Sequence, residues 1–169
     1  AIGSSRFKPD TDGDGLDDFL AVINGVNPIL GRGFPIGVIG GLALAGDAQD
    51  VVPIASNAEP DRSLALVATG IGGGVAVVDL TRPDQPDQIG RLVLPGTNAR
   101  VAYEPALQLG VVAAGDAGVH VIDLSDPTRP RLIATLPIAG GAQAVNVFAG
   151  RALVASGSQL RVFDLATRG

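Results

Sequence analysis

Five aspartates crowd into "DTDGDGLDDF", residues 10–19, in a chain whose other charges are scattered. Packed this closely, the carboxylates repel one another unless something binds them. Asp10, Asp12 and Asp14 fall at positions 1, 3 and 5 of a calcium-loop frame, and Gly15 at position 6 permits the sharp turn. Leu16 at position 7 offers a backbone carbonyl, and Asp18 fills position 9. A hard dication takes six to eight oxygens at about 2.4 Å, and alternating carboxylates on a tight loop converge to supply them. Position 12, where a bidentate Glu belongs, is Ala21. Water, Asp17 or a neighbouring segment would have to complete the shell. The plainer alternative is a solvated acidic linker with glycine turns.

A short helix is expected from about Asp17 to Ile23, burying Leu16, Phe19, Leu20 and Ile23, with Gly25 as its stop. The run "DTDGDGLDDFLAVINGVNP", residues 10–28, resembles the thrombospondin type 3 and dockerin-like calcium loops of bacterial surface proteins. That resemblance implies Ca²⁺ as the bound ion and an extracellular setting, where a weak site still fills.

Other residues that could do chemistry are few. His120 is the single histidine, and with no Cys in the chain it cannot anchor a zinc site of the usual kind. Ser125 and Asp126 lie close in sequence, but no nucleophile elbow is present. His120 alternates with Val119 and Val121, so it is expected as a half-exposed strand residue. "GIGGGV", residues 70–75, precedes a strand rather than a helix and carries no Lys-Ser/Thr pair, so it reads as a hairpin turn and not a phosphate loop. Zero Cys excludes disulfides, thiol catalysis and thiolate metal sites.

The elements that position these residues follow from composition and repetition. Apolar residues make up 46%, aromatic residues only 4%, and there are 24 Gly and 12 Pro. That mixture suits short β-branched strands joined by tight turns. The net charge is −5 and the Arg residues are scattered singly, so no basic patch exists to neutralise nucleic-acid phosphates. No apolar run approaches the roughly 20 residues of a membrane span.

"VAVVDLTRPDQP" begins at Val75, "VHVIDLSDPTRP" at Val119 and "LRVFDLATRG" at Leu160, which puts Asp79, Asp123 and Asp164 44 and 41 residues apart. A residue recurring once per repeat is structural, and Asp at a strand end accepts amide N–H groups of the next turn. Around these motifs four short strand patterns recur in a fixed order, which is the pattern of four-stranded antiparallel β-propeller blades. A fourth-strand pattern stands alone at residues 37–46, "GVIGGLALAG", and the third repeat lacks one. The predicted organisation is a calcium loop with short helix and linker over 1–33 and propeller repeats over 34–169. Within the repeats lie the orphan strand 37–46, unit one 47–96, unit two 97–140 and a partial unit three 141–169.

The motifs "VVDLTRPDQPDQIGRL", "VIDLSDPTRPRLIATL" and "VFDL" resemble the LVIVD family of bacterial and archaeal propeller repeats. The expected fold class is all-β: an open three-blade arc, or a ring completed by another chain. The missing Met, and a stop at "DLATRG" before the next expected loop, suit a piece of a longer protein.

In propellers the first strand of each blade lines the central channel. A ligand would meet Asp50, Arg100, Tyr103, Glu104 and Asn146, which differ from unit to unit. The expected function is non-enzymatic: a secreted or cell-surface module that binds a protein partner or its own copies, as homo-oligomer or polymer, through exposed strand edges. The alternative is a propeller hydrolase or lyase, for which Asp50 and Glu104 are the only carboxylate pair in reach.

Overall fold

The structure is a computed structural model that describes residue 10, residues 39–55 and residues 59–166. The chain divides into two compact units, Ala1–Ile39 and Gly40–Gly169. Of the first unit, Asp10 and Ile39 are described, and Asp10 is half-buried. The remaining calcium-frame residues, Asp12, Asp14, Leu16 and Asp18, lie outside the described residues, as does the helix expected over 17–23.

The second unit is built from strands. β1 (Asp50–Ile54), β2 (Leu64–Ala68), β3 (Val75–Asp79) and β4 (Asp87–Leu92) form the first sheet in that order. β5 (Arg100–Glu104), β6 (Leu109–Ala113), β7 (Val119–Asp123) and β8 (Arg131–Leu136) form the second. β9 (Ala144–Phe148), β10 (Arg151–Ser156) and β11 (Gln159–Asp164) form a third, with β10 in the middle. Every pairing is antiparallel. No helix occurs among the described residues.

The repeat holds down to its irregularities. In the first sheet Val77 faces Gly90 and Val78 faces Gln88, so Ile89 is an extra residue. In the second, Val121 faces Ala134 and Ile122 faces Leu132, so Ile133 is extra. These are the same bulge at the same repeat position, placed where the outer strand bends. Glycine makes the turns possible. In "GIGGG", Gly70, Gly72 and Gly74 all have positive φ, and a Cβ on Gly74 would overlap the Leu92 carbonyl. The hairpin reading of that stretch therefore holds.

Packing is sheet against sheet. Leu66, Val75 and Val77 of the first sheet meet Val101, Tyr103, Val112, Ile122 and Leu124 of the second. On its other face the second sheet offers Val111, Ala113 and Val119 to Ala152 and Val154 of the third. Sandwiching explains why β6 reads "LGVVA" without alternation: all five positions are buried. β9 alternates between exposed and half-buried because only one of its faces is covered.

Residues 39–46, part of the expected orphan strand, belong to no ladder among the described residues. A strand needs a hydrogen-bonded neighbour, and none pairs with this segment among the described residues. The segment nonetheless packs like β4. A Cβ on Gly40 would overlap the Pro83 carbonyl, and one on Gly90 the Pro127 carbonyl. Gly46 approaches the Thr69 carbonyl just as Gly96 approaches that of Ala114.

Candidate functional site

The recurring aspartates hold turns together. Asp79 Oδ1 accepts the amide of Thr81 at 2.8 Å, Asp123 Oδ1 that of Ser125 at 2.9 Å and Asp164 Oδ1 that of Ala166 at 2.8 Å. This is one Asx turn made three times, and it fixes the exit of the third strand of each sheet. Asp79 carries a further load. Its Oδ2 accepts from Arg62 Nε at 3.0 Å and also from Arg62 Nη2, while Arg62 Nη1 reaches Glu59. The hydrogen bonds from Thr81, then those from Arg62, hold the Asp79 carboxyl down at about 2. A group so acidic stays a fixed anion and does not shuttle protons. It lines a cleft of about 320 Å³ with Arg62, Thr81, Arg82, Gln85 and Asp87.

The inner strands β1, β5 and β9 carry the five candidate ligand residues, and four of these bond neighbouring strands or sheets. Asp50 Oδ2 accepts the amide of Val101, across from β1 to β5, at 3.1 Å, while its Oδ1 accepts the amide of Val51. The Tyr103 hydroxyl donates back to the Ala55 carbonyl at 2.8 Å. Burial pushes that phenol upward from its ordinary range. Arg100 Nη1 donates to the carbonyls of Ala99 and Gln49. Glu104, buried, accepts the amide of Gly150 at 2.9 Å and so grips the β9–β10 hairpin of the third sheet. That hairpin is a two-residue turn in which Ala149 and Gly150 both have positive φ. Asn146 is exposed on β9 and accepts the Val147 amide.

Asp50 and Glu104 do not converge. Asp50 binds the start of β5, and Glu104 stands at its end, three residues or about 10 Å further along the strand. Glu104 turns toward the third sheet and Asp50 toward the second.

His120 departs from expectation. It is fully buried, not half-exposed. Its Nε2 donates to the Pro95 carbonyl at 2.9 Å, and its Nδ1 shares a hydrogen bond of 2.9 Å with the Thr135 hydroxyl. The ring thereby ties the second sheet to the segment arriving from the first. Alternation in "VHVID" gave its face correctly, but that face is covered by residues far away in sequence. No signal in the strand itself shows this. Among the described residues, no group of His, Cys, Asp and Glu is arranged to hold a metal ion.

Solved structures place this architecture. The WD40 β-propeller domain of Doa1 superimposes with a TM-score of 0.58 at 17% identity, over 73% of this chain and 39% of that one. The chain has a β-propeller fold. The three sheets are therefore its blades, numbered one to three in chain order. Hydrazine synthase of Kuenenia stuttgartiensis also superimposes, with a TM-score of 0.55 at 16% identity, over 78% of this chain and 36% of that one. This chain thus spans well under half of either structure. No protein-family profile and no curated protein sequence matches it.

Proposed function

We propose that this chain is a non-enzymatic propeller module that associates with protein at the cell surface. One observation carries the reading: among the described residues, one face of blade three is apolar and exposed. Phe148 is 73% exposed, Leu160 70% and Val162 55%, all on blade three. The equivalent faces of blades one and two are covered by the next blade. An exposed apolar patch of this kind is a contact surface. Against the hydrolase alternative stands the use made of the carboxylates. Asp50 and Glu104 are spent on joints between blades, and Asp79 is held ionised.

The loop with Asp10, Asp12, Asp14, Leu16 and Asp18 is proposed to hold Ca²⁺. Extracellular calcium sites work with dissociation constants of about 10⁻⁴–10⁻³ M, so the missing position-12 carboxylate is tolerable there. The LVIVD-like repeats and the calcium frame together favour a secreted or surface-displayed bacterial or archaeal protein.

The test is retention of the purified chain on isolated envelopes of the producing organism. The expected result is binding with calcium present, release by chelator, and weakened binding by Phe148→Lys. A chain that is not retained at any calcium concentration overturns the reading.

A further inference from the structure

We propose that the cleft on blade one binds a neutral saccharide unit. The proposal goes beyond the association reading and does not rest on it, because the apolar patch of that reading belongs to blade three.

One wall of the cleft is the connection from β3 to β4, "LTRPDQP", residues 80–86, whose counterpart in blade two is "LSDPTRP", residues 124–130. The backbone turn is the same in both. The Gln85 amide donates to the Arg82 carbonyl at 2.9 Å, and the Arg129 amide to the Asp126 carbonyl at 3.0 Å. The side chains differ. In blade two Asp126 Oδ1 takes both the amide and the hydroxyl of Thr128, with Arg129 and Arg131 close by, so that loop answers its own polar groups. In blade one Arg82, Gln85 and Asp87 stand at the positions of Asp126, Arg129 and Arg131. Their side chains make no hydrogen bond or ion pair among the described residues. Arg82 and Asp87 thus line one cleft without pairing with each other.

The other wall comes from the connection between β1 and β2. β5 and β6 are joined by residues 105–108, whereas β1 and β2 are joined by 55–63, and the longer connection brings Arg62 onto Asp79. Glu59 holds the same guanidinium, so three of its five N–H groups are fixed and two remain to donate. A side chain held this way loses little freedom when a ligand arrives. The Thr81 hydroxyl is fixed likewise, accepting the Ser63 amide at 3.3 Å. Ile89, the extra residue of the β4 bulge, supplies the apolar part of the lining and packs on the core behind it.

Charge, geometry and size together select the ligand. Arg62 and Arg82 are offset by Asp79 and Asp87, so the lining as a whole favours neither an anion nor a cation. Guanidinium and amide groups donate in pairs and carboxylates accept in pairs, while adjacent sugar hydroxyls both donate and accept. A volume of about 320 Å³ lies at the lower end of small-ligand sites and holds one sugar unit, with Ile89 against the C–H face of its ring. An amino-acid zwitterion would pair with Arg82 and Asp87 but leave the donors of Arg62 and Gln85 unanswered.

The test is an NMR titration of the whole chain, following backbone amides. The methyl glycosides of glucose, galactose and mannose serve as neutral sugars, and glucuronate, glucosamine and alanine as charged comparators. The expected result is saturable binding of at least one neutral glycoside, with a dissociation constant of about 1 mM and shifts centred on residues 81–87. Gln85→Ala and Arg82→Ala, both at exposed positions, should weaken binding about tenfold or more with an unchanged melting temperature. Arg129→Ala, at the matching place in blade two, should leave it unchanged. The proposal is overturned if no neutral glycoside binds at about 50 mM, far above the expected constant. It is also overturned if a charged comparator binds more tightly than every neutral glycoside, or if Arg129→Ala weakens binding as much as Gln85→Ala. None of these outcomes touches retention on envelopes, which reads the patch on blade three.

Discussion

The joint between blades one and two and the joint between blades two and three use one repeat differently. At the first joint the core includes Leu66, Leu94, Ile122 and Leu124 with Tyr103, and side chains cross it in both directions. Asp50 reaches forward to Val101, and Tyr103 reaches back to Ala55. At the second joint the buried residues are smaller: Val111, Ala113, Val119, Ile138, Ala142, Ala152 and Val154. Backbone does more of the bonding there. Gly115 and Ala142 exchange two amide–carbonyl bonds, at 3.0 and 2.9 Å, and Glu104 is the side chain that crosses to the next hairpin. The repeat motif sets which faces stack. The residues that vary between copies set how firmly each pair is joined. Blade three, covered on one face, is the weaker member.

The largest expected effect is at the first joint. Leu66 is fully buried there, and Leu66→Ala removes its methyl groups and leaves a cavity, at a cost of about 2–5 kcal/mol. Urea unfolding should show this as a lower midpoint with an unchanged slope. A loss under about 1 kcal/mol would mean that the joint relaxes to fill the space, and that the two joints differ less than their side chains imply.

Glu104→Ala sharpens the same contrast from the other side. It deletes a charged acceptor from the Gly150 amide, worth about 1.5–3 kcal/mol, and should loosen blade three while the first joint stays intact. Hydrogen exchange would resolve this: faster exchange is expected in β9–β11, with β2 and β3 unchanged. Uniform acceleration across all three blades would show that the arc opens as one cooperative unit.

Much of this was legible before any coordinates. The repeated "VVDL", "VIDL" and "VFDL" motifs place twelve strands in order, eleven of which form among the described residues, and give Asp79, Asp123 and Asp164 their structural role. Both follow from local chemistry, namely alternation, turn residues and Asx bonds. The uses of Asp50, Tyr103, Glu104 and His120 were not legible. Each bonds a partner distant in sequence, from His120 with Pro95 across 25 residues to Asp50 with Val101 across 51. Their variation between repeats singles out the inner-strand residues and points to ligand contact. Variation marks joints equally well, because each blade meets a different neighbour. The strand expected at 37–46 joins no ladder over its described residues, 39–46, for a related reason. Its sequence encodes the fit to blade one, but a ladder also needs a second edge, and local sequence does not supply one.

The smallest expected effect lies away from both joints. Asp79 has its carboxyl pulled down to about 2, first by Thr81 and then by Arg62. Its folded-state value is below its unfolded one of about 3.9, so its contribution to stability is fully present above that pH. It is lost as the pH falls from about 4 toward 2, because the unfolded chain then binds the proton more readily. Arg62 and Asp79 keep 29% and 19% of their side-chain surface, so water and salt screen the pair and the effect is modest. Asp79→Asn should flatten the acid limb of the stability curve in that window while leaving the order of the two joints unchanged. If the variant and the natural chain lose stability in parallel between pH 4 and pH 2, the Asx turn tolerates a neutral acceptor and the Arg62 pair adds nothing measurable. The contrast between joints would then rest on packing and inter-blade bonds alone, since the pair belongs to blade one only.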